Sequence, residues 1–325
     1  YVLEEENRQR FNIGSYFELQ RPELLFDYLQ QGIRMWDYSD FMDCLKEIRI
    51  WAKKGDAHFE VALSALTDML DRRYPTYDKK RRSIVQMVSK TLEAILRNFP
   101  SLDQNVPDPE TSDRKSAYRL IDWETRQFFR GPSYDEKALI IDASLFPPEG
   151  DWCDSRLMAE AFFRGWRRFI VFGLRGQRFH GCGFGPDSGG VRIDIYGSSG
   201  DYLGSGIDGL SIHVHGNAQD QLGQIMKSGK IVIYGDTGQT FLYGAKGGEV
   251  YVMGNAAGRP LINAVGKPRV LINGTCLDYL AESFMAGDPL NGGGFVILNG
   301  LEFDHEGQVK PQATPYPGSN LFSLA

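Results

Sequence analysis

The sequence lacks several features that define large functional classes. It has four cysteines in 325 residues and no C-x-x-C pair, so neither a zinc knuckle nor an iron–sulfur ligand run is encoded. No apolar run approaches roughly 18 residues, the length that crosses a bilayer, and the charged segment Tyr1–Arg10 does not resemble a signal peptide. We expect a cytoplasmic protein with reduced thiols and no membrane span. Tyr1 in place of Met leaves open whether the chain is cropped.

Positive charge is also in deficit. The chain has 36 Lys and Arg residues against 42 Asp and Glu residues, a net charge of −6, which argues against broad electrostatic binding to nucleic acid. The basic run Lys79–Arg82 goes against this balance at a predicted helix start, where the helix dipole disfavours positive charge. A solvated surface and docking to an acidic partner are both consistent with it.

Glycine is scarce through residue 130 and dense from Gly173 to Gly307, and this shift predicts a domain boundary. Before it, apolar residues recur at three- and four-residue spacing and predict four helices, a number that forms a small bundle. They are Arg21–Trp36, Tyr38–Ala52, Ala57–Arg73 and Lys79–Asn98. The acidic, proline-containing stretch that follows is typical of a linker. We predict an α-helical domain over 1–102, a linker over 103–136 and a mostly β domain over 137–325.

The β domain is predicted to begin with a strand-helix-strand unit and to continue as a repeat. Glycines end successive strand-like segments at intervals of 19, 19, 19, 20 and 26 residues: Gly197, Gly216, Gly235, Gly254, Gly274 and Gly300. Residues four and two before each glycine share a face, because side chains alternate along a strand. All are aliphatic, mostly β-branched: Ile193 and Ile195, Ile212 and Val214, Ile231 and Ile233, Val250 and Val252, Val270 and Ile272, Val296 and Leu298.

This period predicts a right-handed parallel β-helix of about six coils as the fold class. The glycines would be corner residues, where positive φ or close backbone stacking excludes a Cβ. The other face of the strands begins polar, with Asp194, His213 and His215, and then becomes apolar. Its apolar part is the candidate interface: Val232, Tyr234, Tyr251, Met253, Leu271 and Ile297. The helix at 155–166, the N-terminal bundle and a partner subunit are the candidates to cover it.

Two glycine-rich segments resemble ligand-binding loops without the required context. Gly204–Gly209 satisfies G-x-G-x-x-G, but a strand rather than a helix is predicted to follow, so a corner is favoured over dinucleotide binding. Gly181–Gly190 could form an anion-binding nest, and a turn into the first coil is favoured.

Metal binding and nucleophilic catalysis are not supported by the candidate side chains. His213 and His215 share a strand face, and two histidines are not a coordination set, so we expect surface or interface histidines and no metal site. Cys182 and Cys276 have no partnered base, and no catalytic residue or cofactor-binding residue is predicted in this chain.

The phrases Leu222–Gly235 and Tyr243–Gly254 resemble the glycine-repeat (GXGXG) domain that ends the large subunit of glutamate synthase. The same module is similar to the third subunit of formylmethanofuran dehydrogenase and to free-standing subunits of archaeal-type glutamate synthases. The segment 215–220 and Gly176-Gln177-Arg178 are also similar to that free-standing group, and the resemblance covers about residues 137–300. Two departures stand out: a 287–294 insertion, and replacement of the mid-coil glycine seen at Gly204 and Gly223 by Leu242, Leu261 and Ala281.

The resemblance implies a scaffold role, because in that family the domain holds an amidotransferase domain against a flavin-dependent synthase domain. We therefore expect a non-catalytic, partner-binding subunit of a glutamate-synthase-like oxidoreductase assembly, with flavin and iron–sulfur centres only in partner subunits. Whether the chain is itself an enzyme stays open. The alternatives are a β-helix enzyme acting on a carbohydrate or acyl substrate, and a self-associating structural protein.

Overall fold

The computed structural model describes residues 11–102, 116–288, 292–303 and 309–310. The chain divides into two compact units, one built mainly on residues up to Pro100 and one mainly on Arg119–Glu302. The predicted linker lies partly outside the described residues. Its described part, 116–136, contains a strand and a short 3-10 helix. No helix within the described residues is long and apolar enough to cross a membrane.

The first unit is helical, and the four predicted helices are confirmed to within two residues. A short helix that was not predicted precedes them, giving α1 (Gly14–Glu18), α2 (Pro22–Met35), α3 (Tyr38–Ala52), α4 (Asp56–Asp71) and α5 (Arg81–Leu96). Helix α3 begins with a capping box, in which Asp37 accepts from the Asp40 amide at 2.8 Å and Asp40 accepts from the Asp37 amide. The apolar stripe of α4 is buried, as its spacing indicates.

The second unit contains the sheet and one α-helix. The predicted strand-helix-strand unit is present as β2 (Ala138–Asp142), α6 (Asp154–Phe163) and β3 (Arg168–Phe172). The other strands are β1 (Tyr118–Ile121), β4 (Arg192–Tyr196), β5 (Asp208–His215), β6 (Ser228–Ile233), β7 (Glu249–Val252), β8 (Val265–Gly266), β9 (Arg269–Ile272), β10 (Met285–Ala286), β11 (Phe295–Leu298), β12 (Glu302–Phe303) and β13 (Val309–Lys310).

Nine strands form one parallel sheet in the order β1-β2-β3-β4-β5-β6-β7-β9-β11. The aliphatic pairs of the repeat lie in two rows across it. Ile193 pairs in register with Phe169 on one side and Ile212 on the other, and the row continues through β6, β7 and β9 to β11. These rows, with Met158 and Phe162 of α6, form the core of the unit.

The fold class predicted from the repeat, a parallel β-helix, is wrong. The structure is an α/β fold with a nine-stranded parallel sheet and helices, together with a small helical N-terminal region. Strands β1 to β3 precede the repeat and belong to the same sheet. Between the repeated strands the chain forms turns, isolated bridges such as Ser199 to Ala218, and the two-residue pair β8–β10. A 19-residue period therefore reports strands that stack in register, and it does not by itself specify how the intervening chain is arranged.

Left-handed backbone conformation recurs at three positions of each repeat. Of fourteen non-glycine residues with positive φ in the described chain, twelve lie at these positions. Leu242, Leu261 and Ala281 have φ values of 59°, 63° and 58°, close to the 64° and 63° of Gly204 and Gly223 at the equivalent position. Replacing the glycine therefore leaves the turn unchanged and adds steric strain of about 1–2 kcal/mol per residue.

The corner glycines divide into two kinds. Gly197 and Gly300 have positive φ, at 123° and 65°. The other four do not, and a Cβ on each would lie within 2.7 Å of the carbonyl oxygen of the corner glycine one repeat earlier: Gly216, Gly235, Gly254 and Gly274. Close stacking of backbone on backbone therefore explains glycine at these four corners.

We expect Gly254→Ala to lower the free energy of unfolding by about 1–3 kcal/mol, because the added methyl would lie 2.6 Å from Gly235 O and force the two repeats apart. Gly189→Ala is the control, since nothing lies within 4 Å of the position that its methyl would take and its φ is −54°. Urea denaturation of both variants measures the difference. Equal stability of the two would contradict the stacking explanation.

We expect Ile225→Gly to raise the free energy of unfolding by about 1 kcal/mol, because Ile225 is β-branched and has a φ of 57° while its side chain is 47% exposed. The neighbouring repeats have Gly206 and Gly244 at this position. Tyr243→Gly is the control: Tyr243 is exposed but its φ is not positive, so glycine there should only destabilise. The comparison needs thermal or urea unfolding of the two variants.

Candidate interaction site on the outer face of the sheet

The outer face consists of the side chains that point away from the core on β4, β5, β6, β7, β9 and β11, together with Tyr234 and Met253 directly after β6 and β7. The six residues of the predicted interface lie on it together. Val232, Tyr251, Leu271 and Ile297 form one row in register. Tyr234 and Met253 directly follow β6 and β7, two positions beyond Val232 and Tyr251. The structure places these residues side by side, and their role as an interface stays a prediction.

The outer face is most exposed at its β11 end. In the same row of side chains, Asp194 on β4 is 3% exposed, Val232 on β6 is 7% exposed and Ile297 on β11 is 44% exposed. Leu271, between the last two, is half-buried. The apolar surface open to solvent is therefore concentrated on β7, β9 and β11.

Asp194 is the centre of a buried polar cluster at the other end of this face. Arg192 donates to both of its carboxylate oxygens, with Nε 2.9 Å from Oδ2 and Nη2 2.8 Å from Oδ1. Nε2 of His215 lies 3.5 Å from Oδ1. Burial opposes ionisation of Asp194, but hydrogen bonding to His215 and Arg192 outweighs it and holds the pKa of this carboxyl well below its ordinary value.

Aromatic rings support this cluster. The His215 ring stacks on Tyr196 at a centroid distance of 4.4 Å and on Tyr234 at 5.2 Å. Tyr196 and His215 pair in register on β4 and β5, and Tyr234 directly follows β6, so the stack crosses three neighbouring repeats. It fixes the plane of the imidazole and thereby the position of the Asp194 carboxylate and of Arg192.

His213 lies next to this cluster but is not part of the stack. Its Nε2 is 3.2 Å from Ser211 Oγ, and its buried Nδ1 has no hydrogen-bond partner among the described residues. Burial lowers its pKa to about 4, and the positive charge of Arg192 acts in the same direction. The imidazole is therefore neutral near pH 7.

A row of charged residues borders the outer face where the strands begin. In register it runs Arg168, Arg192, Ser211, Lys230, Glu249 and Arg269. Glu249 and Arg269 form an ion pair at 3.8 Å, and Lys230 Nζ lies 4.9 Å from the Tyr251 ring centre. This row and the neighbouring Asp194 carry four cations and two carboxylates, so this border is positive although the chain is acidic.

Two further buried polar groups lie elsewhere in the sheet unit. Glu136 binds Arg119 and Arg130, and although burial opposes its ionisation, these hydrogen bonds lower its pKa to about 2. His180 Nε2 lies 2.7 Å from Asp154 Oδ2 with both side chains fully buried. Both groups join segments of the unit that are distant in sequence, which is a structural role.

The other segments singled out in the sequence have local structural explanations. Gly204–Gly209 leads into strand β5, so the helix that a dinucleotide site needs is not there. Gly181 and Gly183 have positive φ in the turn before β4.

Burial raises the pKa values of Cys182 and Cys276 to about 11 each, which keeps both thiols protonated near pH 7. No group of three His, Cys, Asp or Glu side chains suited to a metal ion occurs among the described residues.

Sequence reasoning missed the positive border and the stack. Arg192 and Tyr196 lie two residues on either side of Asp194, on the same strand face. Ser211, Lys230 and Glu249 follow Arg192 at 19-residue steps, and Arg269 follows after 20. The period that identified the aliphatic rows therefore also contained this row of polar residues.

Residues 173–302 match a family model described as the GXGXG motif. This is the glutamate synthase-type domain, which is found in glutamate-synthase-like proteins, and the match confirms the glycine repeat predicted from the sequence. No curated protein and no solved structure matches the chain.

Lowering the pH from 7 to 5 should destabilise the wild-type protein more than a His213→Gln variant. The pKa of His213 is about 4 in the folded chain and about 6.5 when unfolded, so protonation between these values favours the unfolded chain. Stability from this group is complete above pH 6.5 and is lost as pH falls towards 4. We expect this pH change to lower the free energy of unfolding of the wild type by about 1–2 kcal/mol more than that of the variant, allowing for the partial exposure of His213. Urea denaturation at several pH values measures it, and parallel pH profiles would contradict the expectation.

Proposed function

We propose that this chain is a partner-binding scaffold of a glutamate-synthase-like oxidoreductase assembly and that its outer face receives a partner chain. The GXGXG match over residues 173–302 supports the relation to glutamate-synthase-like proteins. In this proposal flavin and iron–sulfur centres belong to partner subunits, which are amidotransferase-like, flavin synthase-like or iron–sulfur proteins.

The observation that carries the proposal is the outer face itself. Tyr251, Leu271 and Ile297 form a partly exposed row of large apolar side chains on three neighbouring strands. A contiguous apolar row on a well-formed sheet costs free energy in water and is typical of a surface that is covered by another chain. Aromatic residues and methionine, here Tyr234, Tyr251 and Met253, are enriched at such interfaces.

Self-association is the second candidate, because the same face would also be covered by a second copy of the chain around a two-fold axis. It predicts a homo-oligomer without coloured cofactors. The scaffold proposal predicts co-purifying subunits that absorb visible light, so one purification distinguishes the scaffold proposal from self-association.

The test is affinity purification of the tagged full chain from its native host, with mass spectrometry and an absorbance spectrum of the eluate. We expect flavin- or iron–sulfur-containing oxidoreductase subunits to co-elute with the wild type. The double variant Leu271→Glu, Ile297→Glu should recover them at least about tenfold less, since carboxylates buried in an apolar contact cost more than about 1.4 kcal/mol.

Leu277→Glu is the matched control, because Leu277 is 59% exposed and lies outside the outer face. It should retain the partners. Circular dichroism would show that all variants are folded. A colourless eluate containing only this chain would overturn the scaffold proposal, and equal partner recovery by all variants would show that another surface binds them.

A further inference from the structure

We propose that Arg192 is a preorganised receptor for a carboxylate of the partner chain, and that the positive border of the outer face requires a partner whose apolar contact surface is edged by acidic residues. This rests on the proposed function and specifies the chemistry of the partner. The supporting features are the bidentate Arg192–Asp194 contact, the exposure of Arg192 and the surplus positive charge of the row in which it lies.

The guanidinium of Arg192 is held in place with part of its donor set unused. It binds Asp194 through Nε and Nη2, and its side chain remains 51% exposed. Nη1 has no hydrogen bond to any described residue. An arginine presents five N–H donors in a planar fork, so a second carboxylate can bind at the edge left open.

Asp194 in turn cannot move freely, because its side chain is 4% exposed and contacts His215, whose ring is stacked between Tyr196 and Tyr234. Ordering a free arginine on binding costs conformational entropy. In this chain the Arg192 side chain is already ordered by Asp194 before a partner binds, so binding does not incur that cost. An arginine fixed in this way is typical of the few residues that dominate the affinity of an interface.

Cationic side chains near Arg192 favour more than one acidic residue on the partner surface. Arg168 lies next to Arg192 in register, and Lys230 lies two strands away on the other side. The row and Asp194 together hold two more cations than carboxylates. A neutral or basic partner surface would leave the open edge of Arg192 and the ammonium of Lys230 desolvated without a carboxylate, whereas acidic residues would pair with them and speed association.

The first experiment measures affinity for the co-purified partner in wild type, Arg192→Gln and Arg192→Lys, each as the full chain. We expect about a tenfold or greater loss for both variants, because hydrogen bonds to charged groups contribute more than neutral ones and lysine cannot serve Asp194 and a second carboxylate in the same geometry. Arg156→Gln is the control, since Arg156 is an exposed arginine of α6 outside the face, and it should bind as the wild type does. Equal affinity of wild type and Arg192→Gln would overturn the proposal while leaving the scaffold function intact.

The second experiment does not depend on prior isolation of a partner. A carbodiimide joins a lysine amine directly to a carboxylate in contact with it, and mass spectrometry of treated native-host cells identifies the pair. We expect Lys230 to be joined to an Asp or Glu of another polypeptide, and Lys230→Arg to abolish that product while keeping the charge.

The outcomes separate the two proposals. If oxidoreductase subunits co-purify, a Lys230 product with a second copy of this chain, or no Lys230 product, would overturn the acidic-partner inference alone. The absence of both the product and the co-purifying subunits would overturn the inference together with the scaffold function.

Discussion

In-register stacking of the repeated strands is the constraint on which the rest of the sheet unit depends. Each strand pairs with the strand one repeat later, so residues 19 or 20 apart become neighbours separated by about 4.8 Å. The last step is 26 residues long, yet Val296 still pairs with Val270. Extra residues are therefore placed between strands, where they leave the register unchanged. A shift of one residue in any strand would exchange its core and outer faces.

The same register produces both the core and the candidate site. It aligns the aliphatic rows that are buried beneath the sheet, and it aligns the polar, aromatic and apolar rows on the outer face. It also explains the unusual backbone of the turns. Leu242, Leu261 and Ala281 keep left-handed φ values that their side chains disfavour, because the strands on either side fix the path of the turn. Packing of the rows outweighs the local preference.

The sequence predicted what depends on apolar periodicity and missed what depends on the path of the chain. Helices α2 to α5 and the aliphatic rows follow from spacing alone. The parallel β-helix predicted from the period is wrong, because alternation within strands says nothing about the segments between them. The left-handed positions carry Ile225 and Thr240 as readily as glycine, so composition gives no signal there. The predicted linker contains β1 and the Glu136 ion group, whose charged residues resemble a solvated segment until their partners are known.

The position of Asp194 is what makes the outer face more than an apolar surface. Its row holds Ile170 on β3 before it and Val232 on β6 after His213, so an aliphatic residue would fit there. Burying a carboxylate with an arginine and a histidine stabilises a fold no more than apolar residues of similar volume. The cluster is therefore not accounted for by stability. It does hold Arg192 in one orientation at the positive border, as the proposed binding of a partner carboxylate requires.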